Sequence, residues 1–126
     1  MAVSDQPMLY SVDFSGCATM ARLAPAQVEG AFSSALTDAG ATVLQTVSHR
    51  FPDAGLTCVL ILAESHAVLH TWPETGTANV DIFSCSTRLK SLAAIAELGR
   101  SLGAASVSVR EIPRADGHLR LLSDRA

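Results

Sequence analysis

Residues 57–85 read TCVLILAESHAVLHTWPETGTANVDIFSC, and the spacing of apolar residues in this stretch decides the fold. Thr57 to Ala63 is an apolar run rich in branched residues and too short for a core helix, which predicts a buried strand. Residues 66–72 continue as strand. Thr75-Gly76-Thr77 then turns the chain into Ala78 to Cys85, where Ala78, Val80 and Ile82 fall on one side and Asn79, Asp81, Phe83 and Cys85 on the other. One side belongs to a core and the other is polar.

Upstream of this stretch, Pro52-Asp53-Ala54-Gly55 is a turn, and Thr42 to His49 alternates as a further strand with Val43 and Val47 on one face. Pro25 opens a helix whose apolar residues Val28, Phe32, Ala35, Leu36 and Ala39 recur at helical spacing, and Gly40 caps its end. Residues 8–14 are a first strand ending at Gly16. Downstream, Arg88 to Leu102 is a second helix, with Thr87 as N-cap, Leu92, Ile95, Gly99 and Leu102 on one side, and Gly103 as its stop. A last strand spans 106–112, and the polar tail from Pro113 lies on the surface. This order predicts an α+β fold, a two-layer α/β sandwich in which an antiparallel sheet carries two helices on one face. The other face of the sheet is left without cover.

The chain has 126 residues, 48% hydrophobic and 17% charged, which predicts a single domain over 1–126. A net charge of -3 with nine scattered Lys and Arg gives no footprint for nucleic acid. The run Cys58–Ala63 falls far short of the roughly 20 apolar residues that cross a bilayer, so no membrane association is expected. The first residues lack a basic start followed by an apolar stretch, which predicts a cytoplasmic protein. Cys17, Cys58 and Cys85 are odd in number and form no CxxC pair, so neither a disulfide framework nor a zinc cage is indicated.

Chemistry concentrates in Glu64-Ser65-His66-Ala67-Val68-Leu69-His70-Thr71-Trp72-Pro73-Glu74, with Cys85 beyond it. The segment offers a hydroxyl nucleophile, imidazoles, carboxylates and an indole, and a short turn is expected to fold His70 beside the Asp81–Cys85 stretch. Serine hydrolysis is disfavoured, because Ser65 lies in no Gly-x-Ser-x-Gly elbow. A metal shared by His66 and His70 is disfavoured too, since four residues along a strand separate them by about 13 Å. By residue type alone, a cysteine is more often inert packing than an acid, and Phe51 and Trp72 read equally well as core.

The string ESHAVLHTWPE followed by VDIFSC resembles the processing site of prokaryotic S-adenosylmethionine decarboxylases, which are pyruvoyl-dependent. The likeness extends through VDFSGC (12–17), ATVLQTVSHRFPDAGLT (41–57) and VSVREI (107–112). It implies that the chain cuts itself between Glu64 and Ser65 into a beta chain, 1–64, and an alpha chain, 65–126. Ser65 attacks the Glu64 carbonyl to give an ester, β-elimination frees the first chain, and Ser65 is left as the pyruvoyl cofactor on which the substrate amine forms a Schiff base. The resemblance further makes His70 the processing base, Thr57 its support and Cys85 the proton donor in turnover. It makes Phe51 the adenine-stacking aromatic and Glu74 the acceptor of the ribose hydroxyls, with no metal. It also implies S-adenosylmethionine as the small-molecule substrate, a product that serves spermidine synthesis, and a homodimer of cleaved protomers. Thr75 and Thr77 stand where the family commonly places aromatic residues. The alternatives are the same machinery acting on L-ornithine or L-arginine, and an uncut regulatory homologue.

Overall fold

Alternation of apolar and polar residues builds a single sheet in which every neighbouring pair is antiparallel. The computed structural model describes residues 7–85 and 89–114. Its strands are β1 (Met8–Ser15), β2 (Val43–Arg50), β3 (Leu56–Leu62), β4 (Ser65–Trp72), β5 (Thr77–Ser84) and β6 (Ser106–Pro113), in spatial order β2-β3-β4-β5-β1-β6. Helices α1 (Pro25–Asp38) and α2 (Ser91–Leu102) lie on one face, giving the expected α+β two-layer sandwich. A single 3₁₀ turn at Met20–Arg22 tucks buried Met20 under α1.

The register assigns each side chain to a layer. Val12, Phe14, Leu56, Cys58, Leu60, Ala67, Leu69, Ala78, Val80 and Ile82 are all buried, pair across adjacent strands, and face the helices. Against them pack Phe32 and Leu36 of α1 and Ile95, Leu98 and Leu102 of α2. Each such residue contributes about 1.5–3 kcal/mol when removed from water, so this layer holds the molecule together. Helix α2 approaches the sheet closely because residue 99 is glycine: a methyl group there would stand 2.9 Å from the Phe14 ring. Pro25 occupies the first turn of α1, where the Ala24 N–H donates to Gln27 Oε1 at 2.8 Å. Gly103 ends α2 in the left-handed region at φ 72°.

The structure departs from the sequence reading in specific places. Helix α2 starts at Ser91 and not at Arg88, because buried Leu89 is drawn into the core and the Lys90 N–H donates to the Ala39 carbonyl at 2.8 Å in non-helical geometry. The proposed cap Thr87 lies outside the described residues. Leu92 is exposed, and Ala94 and Leu98 join Ile95, Gly99 and Leu102 on the buried side. Val43 and Val47 do not share a face: a bulge between Val43 and Gln45 leaves Val43 beside Leu62 on the helix side, whereas Val47 opposes Val59 on the other. Among the described residues nothing covers that other face, and Val47, Ile61, Trp72 and Ile112 stand exposed on it.

Candidate active site

On the bare face, cross-strand pairing lines up a row of polar side chains over the whole sheet. His49 lies opposite Thr57, Thr57 opposite His70, His70 opposite Asn79, Asn79 opposite Asp13, and Asp13 opposite Ser108. Hydrogen bonds knit the middle of it. Thr57 Oγ1 and His70 Nδ1 are 3.0 Å apart. The Trp72 indole N–H donates to Asn79 Oδ1 at 2.8 Å, and Asn79 Nδ2 donates to Asp13 Oδ1 at 2.8 Å.

Around Thr57 and His70 opens a cavity of about 450 Å³, whose lining includes Phe51, Asp53, Trp72 and Glu74. Tight loops bring these residues in. After β2 the Phe51 N–H donates to the Gly55 carbonyl at 2.8 Å, the Gly55 N–H donates to Asp53 Oδ1 at 3.0 Å, and Ala54 is left-handed at φ 73°. The His49 and Phe51 rings meet edge to face, their centroids 4.6 Å apart. After β4 the Thr75 N–H donates to the Trp72 carbonyl at 3.1 Å and Gly76 turns the chain at φ 69°, which sets Glu74 on the rim. The end of β2 that carries this corner is tied to α1 by Arg50, which donates to both carboxylate oxygens of Glu29, at 2.9 and 3.2 Å. Those hydrogen bonds, with the arginine charge, hold the Glu29 carboxyl below its usual range.

The remaining sequence candidates stand at the far end of the same strands. Ser65 opens β4 after the turn Ala63-Glu64, is half-buried, and lies opposite Leu62 on the helix side, its hydroxyl 3.5 Å from the Ala63 carbonyl oxygen. Glu64, on the other side of the Glu64–Ser65 bond, is held at φ 67°, a conformation that costs a residue with a Cβ on the order of 1 kcal/mol. The β4–β5 ladder ends at the His66–Phe83 pair, so Ser65 and Cys85 stand at the same end of the sheet, with Cys85 half-buried and a free thiol just past the end of β5.

The structure therefore brings Thr57, His70, Phe51 and Glu74 together around one cavity, and leaves Glu64, Ser65 and Cys85 at the opposite end of the same strands. His70 does not lie beside the Asp81–Cys85 stretch as expected. The turn after β4 closes with Trp72 opposite Thr77, which fixes Asn79 as the neighbour of His70. Ser65 and His70 lie five residues apart on β4, roughly 16 Å, with side chains on opposite faces. Sequence reasoning missed Asn79 and Asp13. Asn79 was visible as a polar residue of the β5 alternation, whereas Asp13 becomes a neighbour only through the β1–β5 register.

Comparison with known proteins bears on the same residues. The family model described as S-adenosylmethionine decarboxylase matches residues 8–115. The chain belongs to the S-adenosylmethionine decarboxylase family. It is 40% identical over 82 residues to an S-adenosylmethionine decarboxylase proenzyme of Prochlorococcus marinus, covering 65% of this chain and 66% of that protein. It is 34% identical over 94 residues to S-adenosylmethionine decarboxylase proenzyme 2 of Halalkalibacterium halodurans, covering 75% and 74%. The crystal structure of the adenosylmethionine decarboxylase from Aquifex aeolicus shares the fold, with a TM-score of 0.77 at 22% identity over 93% of this chain and 98% of that one. Among the described residues of this family member, no helix is long and apolar enough to cross a membrane.

Proposed function

We propose that this protein is a self-processing S-adenosylmethionine decarboxylase that works as a homodimer, each active centre being completed by two copies of the chain. The observation that carries this reading is the Thr57–His70 pair within a cavity that also presents Phe51 and Glu74, in a chain matched by the family over residues 8–115. A cavity of about 450 Å³ has room for a nucleoside. The aromatic faces of Phe51 and Trp72 suit a purine and a neighbouring sulfonium cation, and the Glu74 carboxylate accepts two ribose hydroxyls.

Processing starts at the left-handed turn. Ser65 Oγ bonds to the Glu64 carbonyl carbon as the C–N bond between Glu64 and Ser65 breaks, so an amide becomes an ester and the Ser65 amine is freed. Holding the hydroxyl against the neighbouring carbonyl makes this step intramolecular. A base then removes the Ser65 Cα proton, the Cβ–O bond breaks, and residues 1–64 leave with a carboxylate at Glu64. Water displaces the nitrogen of the remaining dehydroalanine as ammonia, and residues 65–126 begin with a pyruvoyl group. Cutting also lets Glu64 relax from its positive φ.

The pyruvoyl group supplies a carbonyl that takes up the electron pair released when CO₂ leaves the substrate. Cys85 then returns a proton to carbon as the general acid of the site. The base assigned here is His70, and at roughly 16 Å on the opposite face it does not serve Ser65 of its own chain. In a two-fold pairing, the end of one copy that carries Ser65 and Cys85 meets the end of its partner that carries Thr57 and His70. The same pairing covers Val47, Ile61 and Trp72, which a lone chain exposes to water.

Intact-mass spectrometry of the purified protein, with CO₂ release measured from S-adenosylmethionine, ornithine and arginine in parallel, tests this reading. Two chains divided at Glu64–Ser65 and preferential turnover of S-adenosylmethionine are expected. A single uncut chain, or preference for an amino acid without a nucleoside, overturns it. Sedimentation at micromolar concentration should show a particle of twice the chain mass.

A further inference from the structure

We propose that Asn79, anchored by Asp13, is the positioning residue that holds the Trp72 indole as the wall of the cavity facing Phe51, and so sets its fit for a flat aromatic ligand. The proposal rests on the nucleoside reading of the cavity. It starts from hydrogen-bond chemistry: an indole N–H only donates and an ionised carboxylate only accepts, so a bridge between them needs a group that does both. A carboxamide is such a group. Its orientation follows without choice, Oδ1 towards Trp72 at 2.8 Å and Nδ2 towards Asp13 at 2.8 Å.

The tether matters because Trp72 is otherwise weakly held. Its ring is 46% exposed on the bare face, and a side chain in that setting has several staggered rotamers open to it. Bonding to Asn79 draws the indole edge towards β5, diagonally from its own partner Thr77. Phe51 enters from the β2 side. The sheet order β2-β3-β4-β5 then leaves Thr57 and His70 as the floor between the two aromatic groups. Asn79 is also the cross-strand neighbour of His70, so the same residue keeps the indole from folding over the imidazole. Thr75 and Thr77 use their hydroxyls on one another and on backbone carbonyls.

Trp72 is the only tryptophan of the chain, which makes its fluorescence a direct report on the tether. The experiment compares the processed wild type, Asn79→Ala, and the double exchange Asp13→Asn with Asn79→Asp, using adenosine as the binding probe. In Asn79→Ala the emission should shift to longer wavelength. Adenosine Kd and the KM for S-adenosylmethionine should rise roughly three- to tenfold, as for loss of one hydrogen bond, with kcat changed by less than about twofold. In the double exchange a carboxylate at 79 accepts from the indole and a carboxamide at 13 donates to it, so emission and KM should return towards wild type. Unchanged emission and KM in Asn79→Ala, or a double exchange as impaired as Asn79→Ala, overturns the proposal. If the wild type binds no adenosine, the nucleoside reading fails while the emission of the variants still decides the tether.

Discussion

Strand β4 begins at Ser65 and ends at Trp72, and its two ends are built on different terms. At the Ser65 end the backbone is the distinctive element: a tight turn with left-handed Glu64, a hydroxyl on the residue that follows it and a thiol just past the end of the adjoining strand. At the Trp72 end the backbone is regular, and side chains do the work through a hydrogen-bonded row that frames a cavity. The first arrangement suits bond making and breaking along the chain itself. The second suits recognition of a separate molecule. Their distance along one strand is the ground on which a second copy is proposed.

The sharpest way to break this comparison is complementation. Ser65→Ala and His70→Ala should each stay uncut when expressed alone. Co-expressed, they should yield cleavage of about half of the Ser65-bearing chains, the share that random pairing places in mixed dimers. Intact mass reads the outcome, and absence of cleavage would mean that both ends act within one chain.

Cys85→Ala separates the two stages at the Ser65 end. Processing should proceed, because the thiol takes no part in the acyl shift or elimination, while kcat for decarboxylation should fall by roughly 10²- to 10⁴-fold. A variant that neither cuts nor turns over would give Cys85 a structural role. At the other end, Phe51→Ala should cut normally and raise KM by about tenfold with a smaller change in kcat, having lost one stacking face. Equal loss of cutting and binding would show the ends to be coupled through the fold.

The smallest expected effect concerns the brace beneath the cavity corner. Glu29 has its folded-state pKa lowered, first by hydrogen bonding from Arg50 and then by hydrogen bonding from Ser48 and the arginine charge, against an opposing contribution from burial. A depressed carboxylate pKa stabilises the fold above the unfolded value of about 4.3 and stops doing so as pH falls through the folded value. Arg50→Met should therefore lower Tm slightly at pH 7 and progressively less as the pH falls below the ordinary carboxylate range, as thermal melts at a series of pH values would show.

Much of this was legible in the sequence because burial leaves a periodic trace. The alternation of Ala78, Val80 and Ile82 against Asn79, Asp81 and Phe83 placed β5 and its faces, and Pro25 and Gly103 marked helix ends through backbone restrictions that need no tertiary partner. Errors arose where a distant residue decided a local matter. The helix starting at Ser91 yields its first turn to burial of Leu89, and Val43 lies on the opposite face from Val47 through a bulge that alternation alone does not reveal. In the site, the sequence named Ser65, His70, Cys85, Thr57, Phe51 and Glu74, and placed His70 wrongly beside the Asp81–Cys85 stretch.

The sequence by itself determined the layers, the scissile pair Glu64–Ser65 as a candidate, and membership in a family whose motif occupies one continuous segment. Local patterns and motifs are written in neighbouring residues, so a chain read in order discloses them. Only the tertiary structure decided that Thr57 bonds His70, that Asn79 joins Trp72 to Asp13, and that Ser65 and His70 lie apart on opposite faces. These depend on strand register, where a shift of one residue turns every side chain to the other face. Register is set by turns and bulges acting together across the sheet.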